Sequence, residues 1–98
     1  MKQYYKSDGR YKYHNRGLHY IVEFGWARIE ERQQFAKLLK VFQEIYGPEK
    51  EKIFDEVRGY SVWKMNDYWR SEQNSITKRR RIYLREESVL SLALLRVE

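Results

Sequence analysis

The run Lys78-Arg79-Arg80-Arg81, with Arg85 close behind, is the densest cluster of chemically capable side chains in the chain. Guanidinium groups pair bidentately with phosphate and stack on bases, so this run points to an anionic partner, and to nucleic acid first. The same charge also protects a strand edge from aggregation, and the run alone does not separate the two roles. Groups for catalysis are sparse. His14 and His19 flank an expected turn and can face each other as an acid/base or metal pair, but no third ligand stands near them in a matching pattern. A ribonuclease built on these histidines is the enzymatic alternative. Asp55, Glu56, Asp67 and Glu72 lack the spacing of a carboxylate metal site, and there is no P-loop, nucleophile elbow or dinucleotide glycine fingerprint. The chain has no Cys, which removes disulfides, thiolate zinc sites, iron–sulfur clusters and thiol nucleophiles. The expectation is a non-enzymatic protein with no cofactor and no metal.

The elements must aim those arginines. From Ile76 to Arg85 the chain alternates, with Ile76, Lys78, Arg80, Ile82 and Leu84 on one parity and Thr77, Arg79, Arg81, Tyr83 and Arg85 on the other. A strand buries its apolar parity, so Ile82 and Leu84 belong under a helix, and Tyr83 belongs with the arginines on an open sheet face. Lys12 and Arg16 of the N-terminal segment are expected to assist them. The expected nucleic-acid-binding set is Lys12, Arg16, Lys78, Arg79, Arg81, Tyr83 and Arg85, for RNA or single-stranded DNA.

Leu18 to Phe24 is the clearest strand, β-branched and aromatic and bounded by Gly17 and Gly25. From Ile29 to Tyr46 the period changes: Phe35, Leu38, Leu39, Phe42, Ile45 and Tyr46 form one helical stripe, Glu30 and Glu31 suit the first turn, and Gly47-Pro48 ends it. Pro48 can open a second short helix carrying Ile53, Phe54 and Val57 on one side, ended by Gly59. Tyr60 to Met65 reads as a strand, Tyr68 to Arg70 as a return strand, and Ser71 to Ser75 as a polar, mobile loop. Glu86 to Arg96 reads as a terminal helix begun by acids. Upstream, Gln3 to Lys6 and Arg10 to His14 read as a hairpin around Ser7-Asp8-Gly9-Arg10, with residues 1–17 otherwise a mobile arm.

Two strand–helix units separated by further strands give an α+β fold: an antiparallel sheet with two or three helices on one face, in the ferredoxin-like, split βαβ arrangement. Arg16 to Val22 resembles in part the signature strand of the RNA recognition motif, which opens on a basic residue and Gly. Leu18 and Glu23 stand where that family carries aromatics, so the likeness is one of strand composition.

Ninety-eight residues make one domain, 1–98. Aromatics reach 16%, with nine Tyr, four Phe and three Trp, enough to close a small core with rings to spare. Trp63 shares parity with Met65 and is expected in the core; Trp26 and Trp69 are expected at the surface. The net charge of +6 is uneven. Residues 1–28 hold six Lys and Arg against two acids, residues 29–59 six against seven, and residues 60–98 eight against five, so both flanks of the central helix are basic. No run of about 18 apolar residues and no signal peptide is present, which predicts a cytoplasmic protein with no membrane partner. An aromatic and arginine surface also suits a protein partner, and a small interaction or inhibitory module is the alternative reading.

Overall fold

Tyr20–Phe24 forms a strand at the centre of the protein because its β-branched and aromatic side chains can be covered on both faces. In the computed structural model, which describes residues 3–6 and 8–97, it is the second element of an α+β fold. In chain order the elements are strand β1 (Gln3–Lys6), a 3-10 turn (His14–Arg16), β2 (Tyr20–Phe24), helix α1 (Ile29–Tyr46), β3 (Lys50–Asp55), β4 (Tyr60–Met65), β5 (Trp69–Asn74), β6 (Arg79–Leu84) and helix α2 (Glu87–Val97). A four-stranded antiparallel sheet runs β1-β2-β6-β5, and β3 and β4 form a separate two-stranded hairpin. Since β2 and β5 both run antiparallel to β6, they are parallel to each other, joined through α1 and split by β6.

Register places Ile82 opposite Val22, and Leu84 opposite both Tyr20 and Trp69. Val22, Phe24, Ile82, Leu84 and Trp69 are buried in one cluster with Phe35, Leu38, Val41 and Phe42 of α1 and Leu90 of α2. Each such side chain contributes about 1.5–3 kcal/mol by leaving water. The helical stripe is as expected at Phe35, Leu38 and Phe42, but Ile45 is exposed and Val41 buried, so the buried stripe sits slightly off the expected one. Gly47, at φ 88°, ends α1 by donating its N–H to the Gln43 carbonyl.

Four expectations are corrected. After Pro48 the chain forms a strand instead of a short helix, and β3 pairs residue for residue with β4 from Lys50–Met65 to Asp55–Tyr60. A ten-residue helix with three apolar positions is marginal alone, whereas Asp55 Oδ1 accepts the Val57 and Arg58 N–H groups (3.0 and 3.1 Å) and closes a turn ended by Gly59 at φ 77°. Ser71 to Asn74 is part of β5 and not a loop; at the sheet edge polar side chains are tolerated, and Glu49 accepts both Ser71 N–H (2.6 Å) and Ser71 Oγ–H (2.5 Å). Arg10 to His14 forms turns rather than a strand: the segment does not add to the free edge of β1 but crosses the sheet face, where Tyr11 and Tyr13 pack on Leu18, Ile21 and Tyr83. Ser7 of that expected hairpin, and Met1 and Lys2 ahead of it, lie outside the described residues. Finally, Ile76 is exposed in the turn that precedes β6, which begins only at Arg79.

The tryptophans also exchange roles. Trp69 is buried against Phe42, with its Nε1–H donated to the Gly47 carbonyl (3.1 Å), while Trp63 projects from the β3–β4 hairpin. Parity within β4 could not place Trp63 in the core, because the hairpin packs chiefly on itself.

Candidate nucleic-acid interface

The sheet face away from the helices carries the expected parity. Tyr5, Ile21, Tyr83 and Arg70 lie in one row across the four strands, and Glu23, Arg81 and Glu72 lie in the next. The face is not open, however. Residues 8–19 fold over it, and Leu18, Ile21 and Tyr83 are buried together beneath Tyr5, Tyr11 and Tyr13. Tyr83 packs edge-on to Tyr13 with ring centres 5.0 Å apart and donates its hydroxyl to Glu72 Oε1 at 2.6 Å. Its ring therefore has no face to offer a base, which corrects the expected exposure while leaving the register intact. Burial first, and then the bond to Glu72, holds the Tyr83 hydroxyl well above the ordinary phenol range.

Arg81 is half-buried and donates Nε to Glu23 Oε1 (3.1 Å); Glu23 also receives the Tyr5 hydroxyl at 3.3 Å. Burial opposes the Arg81 charge, but hydrogen bonds to Tyr83 and Glu23 outweigh it and keep the guanidinium firmly protonated. Arg85 is likewise committed: its Nε and Nη2 donate to the Asp67 and Arg16 carbonyls, each at 2.9 Å, which ties the N-terminal cover to the start of β5. Gly17 fits this clamp because a Cβ there would come within 3.1 Å of the Arg85 guanidinium.

Of the expected set, the cations left for a partner are Lys12, Arg16, Lys78 and Arg79, all exposed and none in an ion pair among the described residues. Lys12 and Arg79 join Arg10, Tyr11 and Arg81 around a cleft of about 360 Å³, in which Glu72 is the one acid and Tyr83 lies at the floor. Arg10 is paired with Asp8 at 2.5 Å. Lys78, at φ 59°, turns away from this cleft, and its Nζ lies 5.4 Å from the centre of the Trp26 ring. Arg16 contributes its carbonyl to the Arg85 clamp and does not line the cleft. His14 and His19 do meet, with ring centres 4.5 Å apart, but among the described residues no group of three or more metal-ligating side chains forms.

No protein-family model matches the chain, and neither a curated protein nor a solved structure matches it. Among the described residues no helix is long and apolar enough to cross a membrane.

Two groups of residues escaped the sequence reading. Arg10 and Tyr11 line the basic cleft, and their place depends on how the N-terminal segment crosses the sheet. Arg28 and Arg32 line a second cleft on the helix side, together with Trp26, expected at the surface, and Arg80 of the basic run. One signal for it was present in the alternation of β6, since an arginine on the buried parity is an expensive placement that asks for a partner.

Proposed function

We propose that the protein binds single-stranded nucleic acid, RNA or single-stranded DNA, as a non-enzymatic binding protein that holds backbone phosphates in the cleft bordered by Arg10, Lys12, Arg79 and Arg81. The observation that carries this reading is the cleft itself, where Lys12 and Arg79 are exposed and unpaired and the one acid, Glu72, accepts the Tyr83 hydroxyl. Phosphate contacts of this kind supply affinity with little sequence information. Tyr11 is the ring at the rim, so stacking is a minor contribution and sequence preference is expected to be weak.

Polarisation titrations with labelled mixed-sequence oligonucleotides test this reading. Affinity should fall steeply with salt, and Lys12→Ala and Arg79→Ala should each reduce the slope of log K against log salt by about one, the value for one lost phosphate contact. Absence of binding at about 50 mM salt, where electrostatic attachment is strongest, would rule it out.

A second reading, a protein-interaction module, rests on the hairpin β3–β4. Val57 is 96% exposed, Phe54 62% and Trp63 59%, and Lys50 and Lys52 flank the Trp63 ring at 5.2 and 5.9 Å. Exposed rings beside cations are typical interface anchors. A stoichiometric protein partner that survives nuclease treatment and is lost in Phe54→Ser or Trp63→Ser favours this reading.

For the fold, the connectivity supports a ferredoxin-like split βαβ plan in which the N-terminal strand β1 takes the outer place beside β2. We also place the protein in the cytoplasm, on its lack of Cys and of an apolar segment in the sequence.

A further inference from the structure

The basic run divides across the sheet. Arg79 and Arg81 face the cleft under the N-terminal segment, whereas Arg80 turns to the helix side and is only 4% exposed. It stacks on Trp26, with its guanidinium carbon 4.1 Å from the ring centre, and its Nη1 donates to the carbonyls of Trp26 (3.0 Å) and Gly25 (3.3 Å). Neutral carbonyls do not balance a buried positive charge. The buried Nε has no hydrogen-bond partner, and no carboxylate pairs with Arg80 among the described residues. A guanidinium removed from water without a directly paired carboxylate is costly, so one of this kind favours an anion at the cleft it lines.

The cleft that Arg80 lines lies at the start of α1. It measures about 300 Å³ and is also lined by Trp26, Arg28, Ile29, Arg32 and Gln73. Arg28 is the N-cap residue and makes no side-chain cap, so the cleft adjoins the positive end of the α1 dipole. Of the acids of the first turn, Glu31 is buried and its Oε1 accepts the Gly25 N–H at 3.1 Å, and Glu30 is exposed to solvent; neither makes an ion pair with Arg80 among the described residues.

We propose that the cleft formed by Trp26, Arg28, Arg32 and Arg80 at the N-terminus of α1 is a binding site for a phosphate monoester. Three guanidinium groups and a helix start match a compact dianion, since arginine forks engage phosphate oxygens in pairs. The site lies on the opposite face of β6 from the nucleic-acid cleft and does not depend on that reading. The phosphoryl group can come from a small phosphate compound or from the 5′ end of a strand.

The test follows tryptophan fluorescence while inorganic phosphate is titrated at constant ionic strength, with acetate as the control anion. A saturable change that Trp26→Phe removes is expected, with half-saturation on the order of millimolar for so small a ligand. The surface variant Arg28→Gln/Arg32→Gln should weaken phosphate by about tenfold or more, as expected for lost charge-assisted contacts. Arg80→Met should abolish the response while leaving the melting temperature without phosphate unchanged or higher, because it removes an unbalanced buried charge. Should that variant not fold, the surface pair carries the test. Titration curves that match acetate, or variants that titrate like the parent, overturn the site. With the site supported, a 5′-phosphorylated oligonucleotide preferred over its 5′-hydroxyl form, with the preference lost in the surface variant, identifies a strand end. Equal affinity for both forms identifies a small phosphate compound.

Discussion

Tyr83 illustrates how one side chain can be aimed correctly and still have a different role from the one its position suggests. Its ring is buried under Tyr13 and its hydroxyl bonds Glu72, so its contribution is to stability. Tyr83→Ala should cost about 3–5 kcal/mol through the cavity it leaves, and Tyr83→Phe about 1–2 kcal/mol through the lost hydrogen bond, both read by urea unfolding. Arg81→Ala should cost about 1–3 kcal/mol, since among the described residues it leaves the half-buried Glu23 carboxylate with the Tyr5 hydroxyl alone. The partly buried Tyr5 and the buried Tyr83 also set an alkaline limit. Burial first, and then Glu23, pushes Tyr5 up to about 12, and Tyr83 is raised as well. A phenol raised in the folded state keeps its proton there while the unfolded chain loses it near pH 10, so the associated stability is complete below pH 10 and declines as pH rises toward the folded values. Melting temperature against pH should therefore fall from about pH 10 upward, with Tyr83→Phe flattening that fall.

The β3–β4 hairpin stands apart from the four-stranded sheet in both packing and composition. Its strands pair with each other and leave Phe54, Tyr60 and Trp63 exposed, whereas Trp69, only a turn away from β4, lies in the core. Trp63→Ser should change stability by less than about 0.5 kcal/mol, while Trp69→Ala should cost about 3–5 kcal/mol. Hydrogen exchange provides an independent check: amides of β3 and β4 should exchange by local opening, well ahead of those in β2 and β6. Protection of the hairpin equal to that of the central strands would show that it is held by the body of the protein.

The molecule has three layers, with helices α1 and α2 on one side of the sheet and the N-terminal segment on the other. That third layer makes residues 8–19 structural. Leu18 is buried with Ile21 and Tyr83, so Leu18→Ala should cost about 2–5 kcal/mol despite its place outside any regular element, as a thermal melt will show. The same layer brings Arg10 and Lys12 over Arg79, joining basic residues that lie far apart in the chain into one cleft. A variant that loosens the cover is therefore expected to lose both stability and salt-dependent binding together.

Local pattern was enough for much of this. The period of 3.6 through Phe35, Leu38 and Phe42, the glycine stop at Gly47 and the acids ahead of the terminal helix specify α1 and α2, because helices depend mostly on neighbours three and four residues away. Strand alternation likewise specified that Ile82 and Leu84 face the helices and Tyr83 faces away. What local pattern does not contain is which strand pairs with which, or what covers a face. Ile53, Phe54 and Val57 satisfy a helical spacing, yet β4 needed a partner and made this segment a strand. Ser71 to Asn74 has the composition of a loop, yet β6 paired with all four of its residues, at an edge position where polar residues are tolerated. The openness of the arginine face was decided by residues 8–19 folding back across it, a contact between segments some seventy residues apart. Burial is a property of two surfaces meeting, and a single strand's alternation records only one of them.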